Sequence, residues 1–264
     1  IGVQGLADVF QRMMIPFDGD VPRQLNREIF EAIYFAALSE SVCLASKDGP
    51  YESYEGSPLS QGILQPDMWK DVVLNETRHD WKGLRNELRE HGARNSLLVA
   101  PMPTATTAQL LMNTEAFEPV TSNLYTRRVL AGDFPVLNQH LVDELIKRGL
   151  WSEKMKEMLI QNQGSVQSIS QIPDDIKQVF RTAWEMKMRS IIDMAADRGP
   201  FIDQSASMNL FVNEPTHAKL TAMHMHGWQR GLKTGSYYIR TRAPTDAANL
   251  SVCTRGGECT SCSA

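Results

Sequence analysis

Cysteine is scarce in this chain of 264 residues, with four in all. Three of them, Cys253, Cys259 and Cys262, fall at the very end, which excludes a disulfide scaffold. Positive charge is not in excess either, since 27 Lys and Arg stand against 31 Asp and Glu for a formal net charge of -4. The basic residues are scattered, so neither a nucleic-acid groove nor a polybasic membrane patch is expected. Long apolar runs are missing too, and no segment reads as long enough to cross a bilayer. The opening Ile1-Gly2-Val3-Gln4-Gly5 has neither the charged region nor the apolar run of a signal peptide. Together these absences leave a protein or small molecule as partner, no nucleic acid, no membrane, and the cytoplasm as the expected location. What is present is an apolar share of 42%, enough to bury a full core. That fits one large domain or part of a larger one. Ile1 to Phe10 looks like the interior of a packed element, so the chain reads as a processed or truncated piece.

The richest stretch runs from Leu97 to Gln109. Leu97-Leu98-Val99-Ala100 suits a short covered strand, which Pro101 and Pro103 end by removing ladder donors. A helix is expected just after, capped by Thr104, Thr106 or Thr107 and continued by Ala108 to Met112. Free amides and hydroxyls at such a helix start suit an anion; an ordinary Thr-capped helix is the plain alternative.

Elsewhere the apolar spacing predicts helices at Glu28 to Leu44, Asp80 to His91, Leu137 to Gly149, Trp151 to Gln161 and Ala218 to Gly231. A long helix is expected from Ile172 to near Gly199. Lys47 to Pro66, rich in Gly, Ser, Pro and Tyr, reads as an ordered loop. Strands are expected at Ser96 to Ala100, Ser207 to Val212 and Ser236 to Thr241. Strand, helix and strand in succession favour parallel neighbours, hence an α/β fold. Beyond Arg242 periodicity is lost, so residues 243–264 are expected to form a flexible tail.

In that tail Cys259 and Cys262 stand three apart, close enough for a disulfide or a swinging dithiol. A zinc half-site and an inert pair are the other readings, the former short of ligands. Tyr237 and Tyr238 are adjacent on a proposed strand, so their rings are expected on opposite faces without touching. Packing aromatics is the plain reading, and phenol oxidation the sharper one. His217, His224 and His226 have poor metal geometry, and His79, His91 and His140 read as isolated, so no metal site is expected. Cys43 lies on the first long helix.

Several ordered blocks carry a resemblance: Gly2 to Asp8, Gly49 to Pro58, Ala100 to Gln109, Phe117 to Arg128, Phe201 to Ser205 and Gly231 to Tyr238. In these the chain resembles the carboxyl-terminal part of the large, catalytic subunit of class I ribonucleoside-diphosphate reductases, the eukaryotic type above all. The resemblance implies the carboxyl-terminal part of a ten-stranded α/β barrel, here residues 1–242, followed by a redox tail at 243–264. It implies radical-based reduction of ribonucleoside diphosphates to deoxyribonucleoside diphosphates. Pro103, Thr104, Ala105, Thr106 and Thr107 match the loop and helix start that bind the substrate phosphates. Tyr237 and Tyr238 match the radical-transfer tyrosines, fed by a diiron-tyrosyl radical in a small subunit. Cys259 and Cys262 match the dithiol that reduces the active-site disulfide and is itself reduced by thioredoxin or glutaredoxin. The helices around Asp175 to Met194 and Lys219 to Gly231 match the surface receiving the small subunit's carboxyl-terminal peptide.

The family's radical-bearing cysteine, its disulfide pair and the regions binding ATP and deoxynucleotide effectors precede the point matching Ile1. The expectation is therefore that the chain works with an upstream portion and binds no cofactor of its own. The rival reading is a noncatalytic truncated homologue acting as a protein-binding module. A thiol-disulfide protein using only Cys259 and Cys262 is a weaker third, since no compact redox domain surrounds them.

Overall fold

The computed structural model describes residues 1–70, 72–130 and 132–242. The expected dithiol tail at 243–264 lies outside the described residues. Helix α1 (Leu6–Arg12) buries Leu6, Ala7 and Phe10. Helix α2 (Asp20–Asp48) extends further at both ends than its apolar pattern suggested. Its buried positions Phe30, Tyr34, Leu38, Ser41, Val42 and Ala45 recur at three- and four-residue spacing, giving one face to the core. At 29 residues α2 is long and apolar enough to cross a membrane by length and composition, which corrects the expectation that no segment is. Buried Asn26 and Glu31 on the same helix show it packed as a core element, because each finds a protein partner there.

Helix α3 (Trp81–His91) begins at Asp80, whose carboxylate accepts the Gly83 amide, and stops at Gly92. It brings Trp81, Leu84 and Leu88 into the first core with Phe30, Tyr34 and Leu38. Two expectations fail in the next segment. Leu97 to Ala100 forms no strand among the described residues. Its polar groups go elsewhere: the Leu98 and Val99 amides donate to one Asp203 carboxylate oxygen at 2.7 and 2.9 Å, and the Ala100 amide donates to the Ile1 carbonyl. Helix α4 (Thr106–Leu110) has five residues, and its N-cap is Ala105, with no side-chain cap from any threonine.

Strands β1 (Leu124–Val129) and β2 (Gly132–Leu137) pair antiparallel, Leu124 opposite Leu137, in a hairpin the apolar pattern did not reveal. Pro135 and the exposed face of β2 hide it. Helices α5 (Gln139–Lys147) and α6 (Glu153–Gln161), capped by Asn138 and Ser152, build a second core around Leu141, Leu145, Met155 and Leu159. Gly164, at φ +79, lies so close to this junction that a Cβ would come within 2.2 Å of the Ser122 hydroxyl.

The expected long helix from 172 to 199 is two helices, α7 (Asp174–Val179) and α8 (Met188–Arg198), with a single turn at Ala183–Glu185 between. Competing hydrogen bonds break it. Asn123 donates to the Phe180 carbonyl at 2.8 Å, the Ala183 amide donates to the Val120 carbonyl, and the Glu185 carboxylate accepts the Thr182 amide. Strand β3 (Asn209–Phe211), helix α9 (His217–Gln229) and strand β4 (Tyr238–Arg240) then form the expected parallel pair with a helical crossover. The fold is α/β, with two two-stranded sheets and no closed barrel among the described residues.

Candidate functional site

The tyrosine pair is built by β3. The Tyr237 amide donates to the Met208 carbonyl at 2.6 Å, and Tyr238 stands in register with Asn209. The two rings touch, their centroids 4.2 Å apart at 59°, which corrects the expectation of opposite, separate faces. Alternation applies inside a regular strand, and β4 starts only at Tyr238, so Tyr237 precedes the pleat. A hydrogen bond with Tyr238, and then the charge of Tyr238, push the Tyr237 phenol above its ordinary value. Both side chains are about half exposed, and the Arg240 guanidinium sits 5.4 Å from the Tyr238 ring centre.

In the threonine loop the Thr104 and Thr107 hydroxyls bond to the backbone of the protein itself. Thr104 donates through its amide and hydroxyl to the Glu115 carbonyl, at 2.9 and 3.0 Å, and the Thr107 hydroxyl donates to the Thr104 carbonyl. Ala105 takes φ 45, a strained left-handed value for a residue with a Cβ. Ala105 and Thr106 are exposed, and their amides have no protein acceptor among the described residues. Pro103 is half-buried beside them.

Three residues that sequence reasoning gave no role connect these parts. Asp203 holds the chain leading into the threonine loop. Lys233, just before the tyrosines, donates to the Ile202 carbonyl and lies 5.7 Å from the Trp69 ring centre. Burial lowers the Lys233 ammonium to about 8, against the pull of Asp203. Glu118, 8% exposed, accepts from the Asn209 amide. Burial raises its carboxyl above the usual carboxylate range, against hydrogen bonds from Asn209 and the charge of Arg198. Asp203 and Glu118 both lie in blocks that carried the resemblance, but no local spacing pointed to their partners.

His140, read as isolated, approaches Asp8 at 3.2 Å, and His226 approaches Asp193 at 2.8 Å. Among the described residues no three His, Cys, Asp or Glu side chains gather as a metal site. Cys43 is exposed with a free thiol on α2, while Cys259 and Cys262 lie outside the described residues.

A parallel strand–helix–strand unit ending in paired tyrosines, together with a threonine loop whose Ala105 and Thr106 amides are free among the described residues, defines an α/β domain. The chain belongs to the family described as "Ribonucleotide reductase, barrel domain", which matches residues 1–238. It is 58% identical over 252 residues to the ribonucleoside-diphosphate reductase large subunit of Plasmodium falciparum (isolate Dd2), covering 96% of this chain and 31% of that protein. The large subunit of Arabidopsis thaliana is 54% identical, with the same 96% and 31% coverage. Among solved structures, the Actinobacillus ureae class Id ribonucleotide reductase alpha subunit is similar with a TM-score of 0.71 and 28% identity, covering 96% of this chain and 40% of that one. The chain thus spans about a third of the length of the curated relatives it matches.

Proposed function

We propose that the chain forms part of the large subunit of a ribonucleoside-diphosphate reductase, converting ribonucleoside diphosphates to deoxyribonucleoside diphosphates. The observation that carries this is the contact between the Tyr237 and Tyr238 rings, their centroids 4.2 Å apart. Such a pair can pass an oxidising equivalent. Each phenol in turn gives up one electron and its proton, and regains both when the next donor inward is oxidised. The oxidant would be the tyrosyl radical beside a diiron centre in a small subunit, docked near α8 and α9 where Trp228 and Met225 are exposed. The acceptor would be a cysteine of the upstream portion, with which residues 1–242 would complete a ten-stranded α/β barrel. Cys43, the free thiol among the described residues, is an exposed residue of α2 and lies on neither site element.

Substrate phosphates would sit on Pro103, Thr104, Ala105, Thr106 and Thr107, the exposed amides of Ala105 and Thr106 supplying donors. Loss of the 2'-hydroxyl consumes two electrons, leaving a disulfide from two upstream thiols. Cys259 and Cys262 of the 243–264 tail would reduce it by exchange, becoming a disulfide that thioredoxin or glutaredoxin reduces. ATP and deoxynucleotide effectors would bind the upstream portion, and the assembly would work in the cytoplasm.

The test uses the complete large subunit with its small subunit. Tyr237→Phe and Tyr238→Phe should each reduce deoxynucleotide formation to background while the melting temperature holds, since both side chains are half exposed. Turnover at the parent rate in both variants would overturn the radical-transfer reading of the pair, whereas an assembly that forms no deoxynucleotide even with both tyrosines intact would favour the noncatalytic binding module.

A further inference from the structure

The dipeptide that carries both phenols hangs from Met208 and Asn209, and Asn209 is itself held from behind. One Glu118 carboxylate oxygen accepts the Asn209 amide at 2.7 Å and its side-chain amide at 3.3 Å. This is the Asn209 that stands opposite Tyr238 in the parallel register. Its amide, turned away from β4, goes to Glu118 in place of a third strand.

Glu118 also ends a short segment that reaches the threonine loop. The Glu115 carbonyl receives both bonds from Thr104, and the Thr114 and Ala116 carbonyls receive the amides of Gly5 and Leu6. Phe117 between them is fully buried under the Arg198 guanidinium, 3.9 Å from its ring centre. Three residue steps span at most roughly 10 Å, so 115–118 is a strut of fixed reach between the two parts of the site. A buried carboxylate is costly to keep, and Arg198 supplies the compensating charge.

We propose that Glu118 is a positioning residue for the Tyr237–Tyr238 pair: through Asn209 it seats the strand carrying the phenols at a set distance from the Thr104 loop. The inference rests on the radical-transfer reading of the two tyrosines. Glu118 touches neither phenol and takes no part in the electron transfer itself.

The experiment places an easily oxidised aminotyrosine at position 238 of the complete large subunit, adds the small subunit and substrate, and reads the trapped radical by electron paramagnetic resonance. In parallel, kcat and KM are measured in the unlabelled protein. Glu118→Ala should lower kcat roughly 10- to 100-fold, with little change in KM, and alter the hyperfine pattern that reports ring orientation. Glu118→Gln keeps an oxygen for the Asn209 amide and should hold kcat within about threefold. An unchanged kcat and spectrum in Glu118→Ala would overturn the proposal. Should that variant fail to fold, Asn209→Asp sets a second carboxylate against Glu118 and should reproduce the defect, with Glu118→Gln in the same chain relieving it. Parent behaviour of Asn209→Asp would again overturn the proposal. No radical at position 238 in the otherwise unsubstituted protein would instead remove the tyrosine reading, and the positioning role with it.

Discussion

The guanidinium carbon of Arg198 lies 3.9 Å from the centre of the Phe117 ring. Arg198 is 1% exposed, and among the described residues it has one hydrogen bond, to Asn26 at 3.3 Å, while its Nε and Nη2 have no protein partner. Burial lowers it to about 10 even though Glu118 and Asp197 pull it upward. It stays because removing it strands Glu118. Arg198→Met should therefore destabilise by about 3–5 kcal/mol in urea unfolding. Adding Glu118→Gln should recover part of that loss, and a cycle of the two showing simple additivity would refute the charge coupling between them.

Asp203 does for residues 98 and 99 what a neighbouring strand would do. Asp203→Ala leaves two amides without their charged acceptor, a loss of about 2–3 kcal/mol. Hydrogen exchange should speed up at Leu98 and Val99 before any change in α3. Protection at those two amides equal to the parent's would show that the carboxylate is not their anchor.

Acid below pH 3.8 should loosen the junction of α1 and α5. Burial alone would raise Asp8, but hydrogen bonds from His140 and Thr114 outweigh it and hold the carboxyl below its ordinary value of 3.8. A folded value below the unfolded one gives stability that is present above pH 3.8 and lost as pH falls through the folded value. Asp8→Asn should thus lie below the parent at neutral pH, by about 1–3 kcal/mol, and converge with it in acid. Glu118 works in the other sense: raised by burial, it lets stability fall as pH rises from 4.5 through its folded value. Urea midpoints measured from below pH 3.8 to above the folded value of Glu118 would reveal both slopes, and a parent and Asp8→Asn curve that stay parallel would contradict the first.

Helix content was largely legible. The apolar periods of α2, α3, α5, α6 and α9, and the stop signal at Gly92, report local geometry that the chain encodes within a few turns. The parallel β3–β4 pair followed from the strand–helix–strand order. Illegible were the places where a distant group claims a backbone bond. Asn123 ends α7 from 57 positions away, and Asp203 claims Leu98 from 105. The threonines of the loop looked like caps, but Glu115 takes the Thr104 hydroxyl and Ala105 occupies the cap position.

By itself the sequence determined the family, through ordered blocks running from Gly2 to Tyr238, and the residues on which the chemistry is proposed to turn. It also determined which helix faces are apolar, because periodicity is a property of neighbours. Only the tertiary structure decided that the Tyr237 and Tyr238 rings meet, that Asp203 stands in for a strand, and that Glu118 grips Asn209. A buried polar group must find a partner somewhere, but which partner depends on where remote segments converge.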